Sequence, residues 1–230
     1  MEAIILPNPV GVSSPETNLP MTPLQGRPFL SYQLEYWGKQ GVDRFIIPIS
    51  ASQGFIREYF GKQFRGKEVS YIHLKRDLGD GGALLLALSQ AIDDTVLVIN
   101  GNYFAETDLK ALKKAHTSKG AEMTLVVSPK KKKTELGWIE MDKGGRVSKL
   151  GGSEYVNMGV ALVDKAALST EIPFERGDAL TLEETLFPYL IKKGDALYAH
   201  KTNGTAVDIS DAAGSKEVEA LILSLSPKAA

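Results

Sequence analysis

Three short apolar runs, Ala3–Leu6, Phe45–Ile47 and Val96–Ile99, are spaced along the first half of the chain, with segments of helical period between them and a further strand, Met123–Val127, after them. A run this short and wholly apolar has no face to give to water. It must be covered on both sides, as a strand in a parallel sheet is. Between the runs, Phe29–Lys39 sets Leu30, Leu34 and Trp37 at helical spacing, with Gly38 or Gly41 to end it. Phe55–Phe60 places Ile56, Tyr59 and Phe60 on one side, Gly82–Ile92 is rich in Ala and Leu, and Leu109–His116 follows a capping Thr107 or Asp108. Val69–Leu74 adds a strand. This alternation predicts an α/β fold: a mainly parallel sheet, helices on both faces and right-handed crossovers.

Residues 7–28 break the pattern, because six prolines and no helical period predict a long loop. In the second half, Trp138–Met141 and Arg146–Leu150 flank Asp142-Lys143-Gly144-Gly145 and predict a hairpin. Val156–Val163 reads as a strand, and Thr181-Leu182-Glu183-Glu184 has capping-box spacing for a helix running to Lys193. Ala196–Lys201 and Ala206–Ile209 read as short strands, and Val218, Leu221, Ile222 and Leu225 form the stripe of a last helix. With neither repeat nor linker, the 230 residues are expected to form one domain.

Composition narrows the chemistry. The absence of cysteine removes disulfides, thiolate metal sites and cysteine nucleophiles, and fits a reducing cytosol. His73, His116 and His200 are scattered, which disfavours a histidine metal cage or a catalytic role for any of them. Ser13-Ser14 has no His or Asp partner pattern, so no hydrolase triad is expected. A net charge of -1 argues against nucleic acid as a partner. No run is long enough for a membrane span and the first residues lack a basic leader, so a cytoplasmic protein is the expectation. Lys130–Lys133 reads as a solvated loop rather than a polyanion site.

Six segments then resemble a known family in order and spacing. They are Ala3-Ile4-Ile5-Leu6; Pro20-Met21-Thr22-Pro23-Leu24 with Gly26-Arg27-Pro28-Phe29-Leu30; Leu78-Gly79-Asp80-Gly81-Gly82-Ala83; Val98-Ile99-Asn100-Gly101-Asn102; Asn157-Met158-Gly159-Val160; and Val207-Asp208-Ile209. The chain resembles the sugar-1-phosphate nucleotidyltransferases, above all the heptose- and mannose-1-phosphate guanylyltransferases. The resemblance implies a Rossmann-like, glycosyltransferase-A-type fold, with residues 1–127 as the nucleotide half and 128–230 as the sugar half. It implies a reaction in which a sugar 1-phosphate attacks the α-phosphate of a nucleoside triphosphate with help from Mg²⁺.

It also implies the site. Leu6, Gly11, Gly79, Gly81, Gly82 and Asn100 would face the nucleotide, and Gly137, Asn157, Gly159 and Glu183 the sugar. Asp208, and more weakly Asn102, would face the metal. Ordinary structural readings stand beside these. The three glycines from Gly79 suit any tight turn, Asn157 and Gly159 suit strand packing, and Glu183 and Glu184 suit a helix first turn.

The chain departs from the family where phosphate is handled. Of the expected glycines in the first loop only Gly11 remains, and Pro7 and Pro9 have no N–H to donate. Ser13 stands at the arginine position, Leu19 at the lysine position and Asn102 at an aspartate position. Lys149 is a remnant of the sugar-side lysine, and Ser210-Asp211-Ala212 replaces a Gly-Thr/Ser-Pro. Neither Ser nor Leu stabilises charge at a polyphosphate. The expectation is a family member impaired in catalysis that binds a nucleotide or nucleotide sugar over a weakened Mg²⁺ site, as a homodimer or with an active relative. Two alternatives stand: an active transferase in which Arg27 or Lys75 substitutes, and an interaction protein with a collapsed pocket.

Overall fold

The computed structural model describes residues 1–7, 19–129, 137–152, 154–168, 173–174, 177–194, 197–209 and 216–221. The first strand, β1 (Glu2–Leu6), is buried along its whole length. Its side chains alternate between two apolar cores, as strand geometry requires. Ile4 and Leu6 face one core with Leu84, Leu88 and Val98, while Ala3 and Ile5 face the other with Leu34, Trp37 and Phe45. Burying one such side chain contributes about 1.5–3 kcal/mol, so the continuous apolar run is sufficient reason for a central strand.

The expected long loop is shorter than 7–28. Leu19–Met21 forms a 3₁₀ turn, and β2 (Pro23–Leu24) and β3 (Arg27–Pro28) make a small hairpin. Its turn residues Gln25 and Gly26 both have positive φ, 49° and 75°. The prolines that open and close this hairpin, Pro23 and Pro28, pair with each other and hide it in the sequence, since proline weakens a strand reading. Then follow α1 (Phe29–Lys39), β4 (Arg44–Ile49), α2 (Gly54–Phe60), β5 (Gln63–Phe64), β6 (Lys67–His73), α3 (Gly79–Leu88), β7 (Thr95–Asn100) and β8 (Tyr103–Ala105). The chain continues through α4 (Leu109–Lys119), β9 (Met123–Pro129), β10 (Trp138–Met141), β11 (Val147–Leu150), β12 (Tyr155–Asp164), α5 (Phe187–Lys193), β13 (Leu197–Lys201) and β14 (Ala206–Asp208).

The main sheet has 10 strands and runs β11-β10-β12-β7-β1-β4-β6-β5, with β9 between β12 and β13. β1 is parallel to β4 and β7, and β4 to β6, whereas β12 is antiparallel to β7, β9 and β10. The fold is therefore the expected mixed, mostly parallel sheet with helices on both faces.

Helix ends follow local chemistry. Asp108, not Thr107, caps α4, its Oδ1 accepting from the N–H of Lys110 at 2.8 Å and of Ala111 at 3.2 Å. α3 begins three residues before the expected Gly82 and stops short of Ile92. The buried Glu2 carboxylate takes the N–H groups of Ile92 and Asp93 at 2.5 and 2.7 Å, and Ile92 is left 78% exposed. Thr181 is the N-cap, its Oγ1 accepting from Glu184 N at 3.0 Å, which is one half of the expected capping box, and a π-helical turn (Leu182–Leu186) leads into α5. Buried His116 is structural, bonded to Thr124 Oγ1 at 2.8 Å and Asp164 Oδ1 at 3.1 Å. The described part of the last helix, 216–221, buries Val218, and Ile222 and Leu225 lie outside the described residues.

Candidate functional site

The carboxyl ends of β1 and β7 meet where Leu6 pairs with Asn100 and Gly101 N donates to Leu6 O at 2.8 Å. A Cβ on Gly101 would lie 2.9 Å from Leu6 O and from Pro7 Cα, so the turn after β7 closes only because residue 101 has none. Asn100 Oδ1 accepts from Asn102 N at 2.9 Å and tightens the same turn. From beneath, the buried Gln33 of α1 donates Nε2 to Asn100 O at 3.0 Å and to Tyr103 O at 2.7 Å, which clamps both ends of the turn. Sequence reading missed Gln33, because a glutamine on an apolar helix face gives no sign of what it will meet.

Opposite this turn, β12 breaks register between Asn157 and Ala161. At the break Gly159 has φ 69°, and a Cβ there would lie 2.9 Å from Asn100 Cβ. Gly159 N donates to Asn157 Oδ1 at 3.1 Å, and Asn157 N donates to Gly137 O at 2.9 Å. Leu6, Asn100, Gly159, Asn157 and Gly137 thus form one continuous rim, although they come from four separate parts of the chain.

The helix start at Gly79–Gly82 is packed against protein. Gly81 N and Gly82 N both reach Leu180 O, at 3.0 and 3.2 Å, and a Cβ on Gly82 would lie 2.2 Å from Asp178 O. The tight-turn reading therefore has a definite partner at Gly81 and Gly82. Gly79, at φ 65°, has Asp77 Oδ1 on its N–H at 2.9 Å. Asp80, buried and also missed in the sequence, accepts from Gly81 N and Leu182 N at 2.9 Å each and ties α3 to the turn before α5. Burial pushes its carboxyl above the usual range, against the pull of those N–H groups.

A cavity of about 360 Å³ lies on the far side of the rim, lined by Gly137, Trp138, Asn157, Glu183, Glu184 and Phe187 among others. Glu183 is exposed overall, but its carboxylate lies against Gly137, where a Cβ would come within 2.3 Å of Oε1. Partial burial of that end, and then the charges of Asp80 and Glu184, raise its pKa. An aromatic wall beside carboxylates and an amide suits a polyhydroxylated ligand, with apolar surface for C–H groups and acceptors for hydroxyls.

Asn102 and Asp208 are neighbours: Asp208 pairs with Tyr103, and Ile209 N donates to Asn102 O at 3.1 Å. Asn102 is buried, and its Oδ1 has no hydrogen-bond partner. Mg²⁺ takes oxygen ligands, usually one or two carboxylates together with substrate phosphates. One carboxylate and one unsatisfied amide oxygen fit that donor set with a single negative charge. Among the described residues no group of three or more His, Asp or Glu is placed to hold a metal by itself.

Leu19 is buried in a third apolar cluster with Phe29, Phe104, Val207 and Ile209, the last two flanking Asp208. Arg27 is ion-paired with Glu35 and stacked over Tyr32, 4.7 Å from the ring centre, so its charge already has a partner. Lys149 stands opposite Glu140 on the exposed face of β11. Gly11, Ser13, Lys130–Lys133 and Ser210-Asp211-Ala212 lie outside the described residues.

A family model described as nucleotidyl transferase matches residues 14–209. The D-glycero-alpha-D-manno-heptose 1-phosphate guanylyltransferase of Aneurinibacillus thermoaerophilus is 32% identical over 190 residues, covering 76% of this chain and 82% of that protein. The mannose-1-phosphate guanylyltransferase of Mycobacterium tuberculosis is 26% identical over 194 residues, 81% of this chain and 52% of that protein, so the chain spans about half its length. Among solved structures, HddC from Yersinia pseudotuberculosis, complexed with GMP-PN, superposes with a TM-score of 0.81 at 22% identity, covering 96% of this chain and 98% of that one. That likeness is one of fold, the Rossmann-like glycosyltransferase-A type.

Proposed function

The chain belongs to the nucleotidyl transferase family, and from that premise we propose that it joins a nucleoside triphosphate, GTP before others, to a heptose or hexose 1-phosphate. A phosphate oxygen of the sugar 1-phosphate attacks the α-phosphorus in line. The bond from that phosphorus to the oxygen bridging to the β-phosphate breaks, pyrophosphate leaves with the electron pair, and a nucleotide sugar remains. The observation that carries this reading is the continuous rim from Leu6 and Asn100 through Gly159 and Asn157 to Gly137, with the Glu183 cavity at one end.

In this reading residues 1–127 hold the nucleotide and 128–230 the sugar. Leu6, Gly79 and Asn100 bring main chain up to the nucleotide, and Asn157, Gly159 and Glu183 orient the sugar hydroxyls. Asp208, with Asn102 Oδ1, would hold Mg²⁺, which supplies charge stabilisation at the phosphates when bound. Gln33 keeps the turn carrying Asn102 in place. The test is pyrophosphate release from a panel of nucleoside triphosphates with heptose and hexose 1-phosphates and Mg²⁺. Release that requires both substrates is expected, and folded protein that releases none overturns the reading.

A second reading, binding with little turnover, is favoured by one observation: Leu19 is packed in an apolar cluster beside Asp208, where the family's cation is expected. Loss of a charged transition-state stabiliser lowers turnover by on the order of a thousand-fold. A nucleotide-dependent rise in melting temperature with turnover reduced to that degree supports this reading, and ordinary turnover removes it.

A further inference from the structure

A cavity of about 590 Å³ opens at the opposite edge of the sheet from the Glu183 cavity, between α2 and the outer side of β6. Along β6, Glu68 N donates to Asp43 O at 3.0 Å and Leu74 N to Ile49 O at 2.9 Å, both on the β4 side. By strand alternation residues 69, 71 and 73 turn their main-chain groups outward. Val69 N is taken by Lys62 O at 2.9 Å, and β5 covers β6 only at Lys67 and Glu68. Tyr71 and His73 therefore present N–H groups at an uncovered edge.

Two cationic side chains, Arg57 and Lys62, line the same cavity. The Arg57 guanidinium lies 3.3 Å from His73 Nε2; having only donors, it donates to the ring and is held at the cavity. Among the described residues neither Arg57 nor Lys62 has a carboxylate at ion-pair distance. Glu68, the acid in the lining, is committed to Arg44, 3.1 Å from its Nε. Tyr71 adds no negative charge. Burial pushes its phenol up to about 12 against the pull of Arg57, and its hydroxyl donates to Gly61 O at 2.8 Å.

We propose that this edge cavity binds a compact phosphate-bearing anion, with Arg57 and Lys62 supplying charge and the Tyr71 and His73 N–H groups completing the shell. Two outward residues before β6 ends make too short a ladder to add a strand, whereas oriented donors beside unpaired cations suit a phosphate. The site is separate from the cleft, so it stands whether or not the transferase reading does. β6 leads through residues 74–78 into Gly79, which connects the two sites along the chain.

The test is a titration of the full chain with inorganic pyrophosphate, followed by backbone amide NMR, with chloride at matched ionic strength as control. Saturable shifts at Tyr71 and His73 with pyrophosphate but not chloride are expected. In an R57Q/K62Q variant whose remaining spectrum superposes on the wild type, affinity at those amides should fall at least about tenfold. Shifts confined to Gly79–Gly82, equal shifts with chloride, or unchanged affinity in the variant would overturn the proposal.

Discussion

At Gly82 and at Gly137 alike, another part of the chain occupies the space of a side chain. At Gly82 the occupant is main chain, Asp178 O at 2.2 Å from an added Cβ. At Gly137 it is the end of a flexible side chain, Glu183 Oε1 at 2.3 Å. Main chain held by its own hydrogen bonds cannot withdraw cheaply, whereas a glutamate can rotate away. If the two sides hold nucleotide and sugar as proposed above, crowding at Gly82 should cost stability and crowding at Gly137 should cost binding.

The largest effect is expected from Gly82→Ala. Overpacking costs about 1–3 kcal/mol, and this contact belongs at the top of that range. In a chain of this size each kcal/mol lowers Tm by about 2–4 °C. A variant that melts within a degree of the wild type would break the comparison.

Gln33→Leu comes next. It strips a donor from two part-buried carbonyls, Asn100 O and Tyr103 O, at a cost of about 1 kcal/mol or more, read by chemical denaturation. It also separates a structural clamp from a positioning one. If the turn matters to Asn102, nucleotide affinity falls further with Mg²⁺ present than with Mg²⁺ absent.

Gly137→Ala sharpens the other half of the comparison. Glu183 swings out, stability stays within about 0.5 kcal/mol, and sugar 1-phosphate affinity falls by about tenfold. Glu183→Ala should match it in calorimetric binding. A loss of stability with binding unchanged would reverse the assignment of the two sides.

The smallest effect is in pH. Burial raises the Asp80 pKa above 3.8, so in the window between the raised value and 3.8 the folded chain binds more protons than the unfolded one. Stability contributed by this group therefore rises as pH falls through that window, and above it the ionised, buried carboxylate destabilises. Asp80→Asn keeps an acceptor for Gly81 N and Leu182 N but cannot ionise. Melting curves should show it at least as stable as the wild type at pH 7, with the wild type gaining on it upon acidification.

The central strands were legible because burial on both faces demands unbroken apolar runs, and β1, β4, β7 and β9 contain them. The start of α3 was not, because it depends on Leu180 and Leu182, a hundred residues away in sequence. The same limit applies to the site. Asn100, Asn157, Gly159 and Asp208 were read from their place in matching segments; the structure sets the first three along one rim and Asp208 beside the turn that carries Asn102. Gln33 and Asp80 carry no local signal for the ties they make across the fold, since those hydrogen-bond partners lie 67–70 and 102 residues away. Why Gly81 and Gly82 lack side chains also needed the fold, because only there does the 178–181 segment meet them.

The most direct test of the transferase reading is a ³¹P NMR spectrum of the full chain incubated with GTP, mannose 1-phosphate or heptose 1-phosphate, and Mg²⁺. New resonances of a nucleotide sugar diphosphate, growing together with pyrophosphate and absent when either substrate is omitted, are the expected result. Substrate resonances left unchanged, with protein whose folding is verified in the same tube, would contradict it.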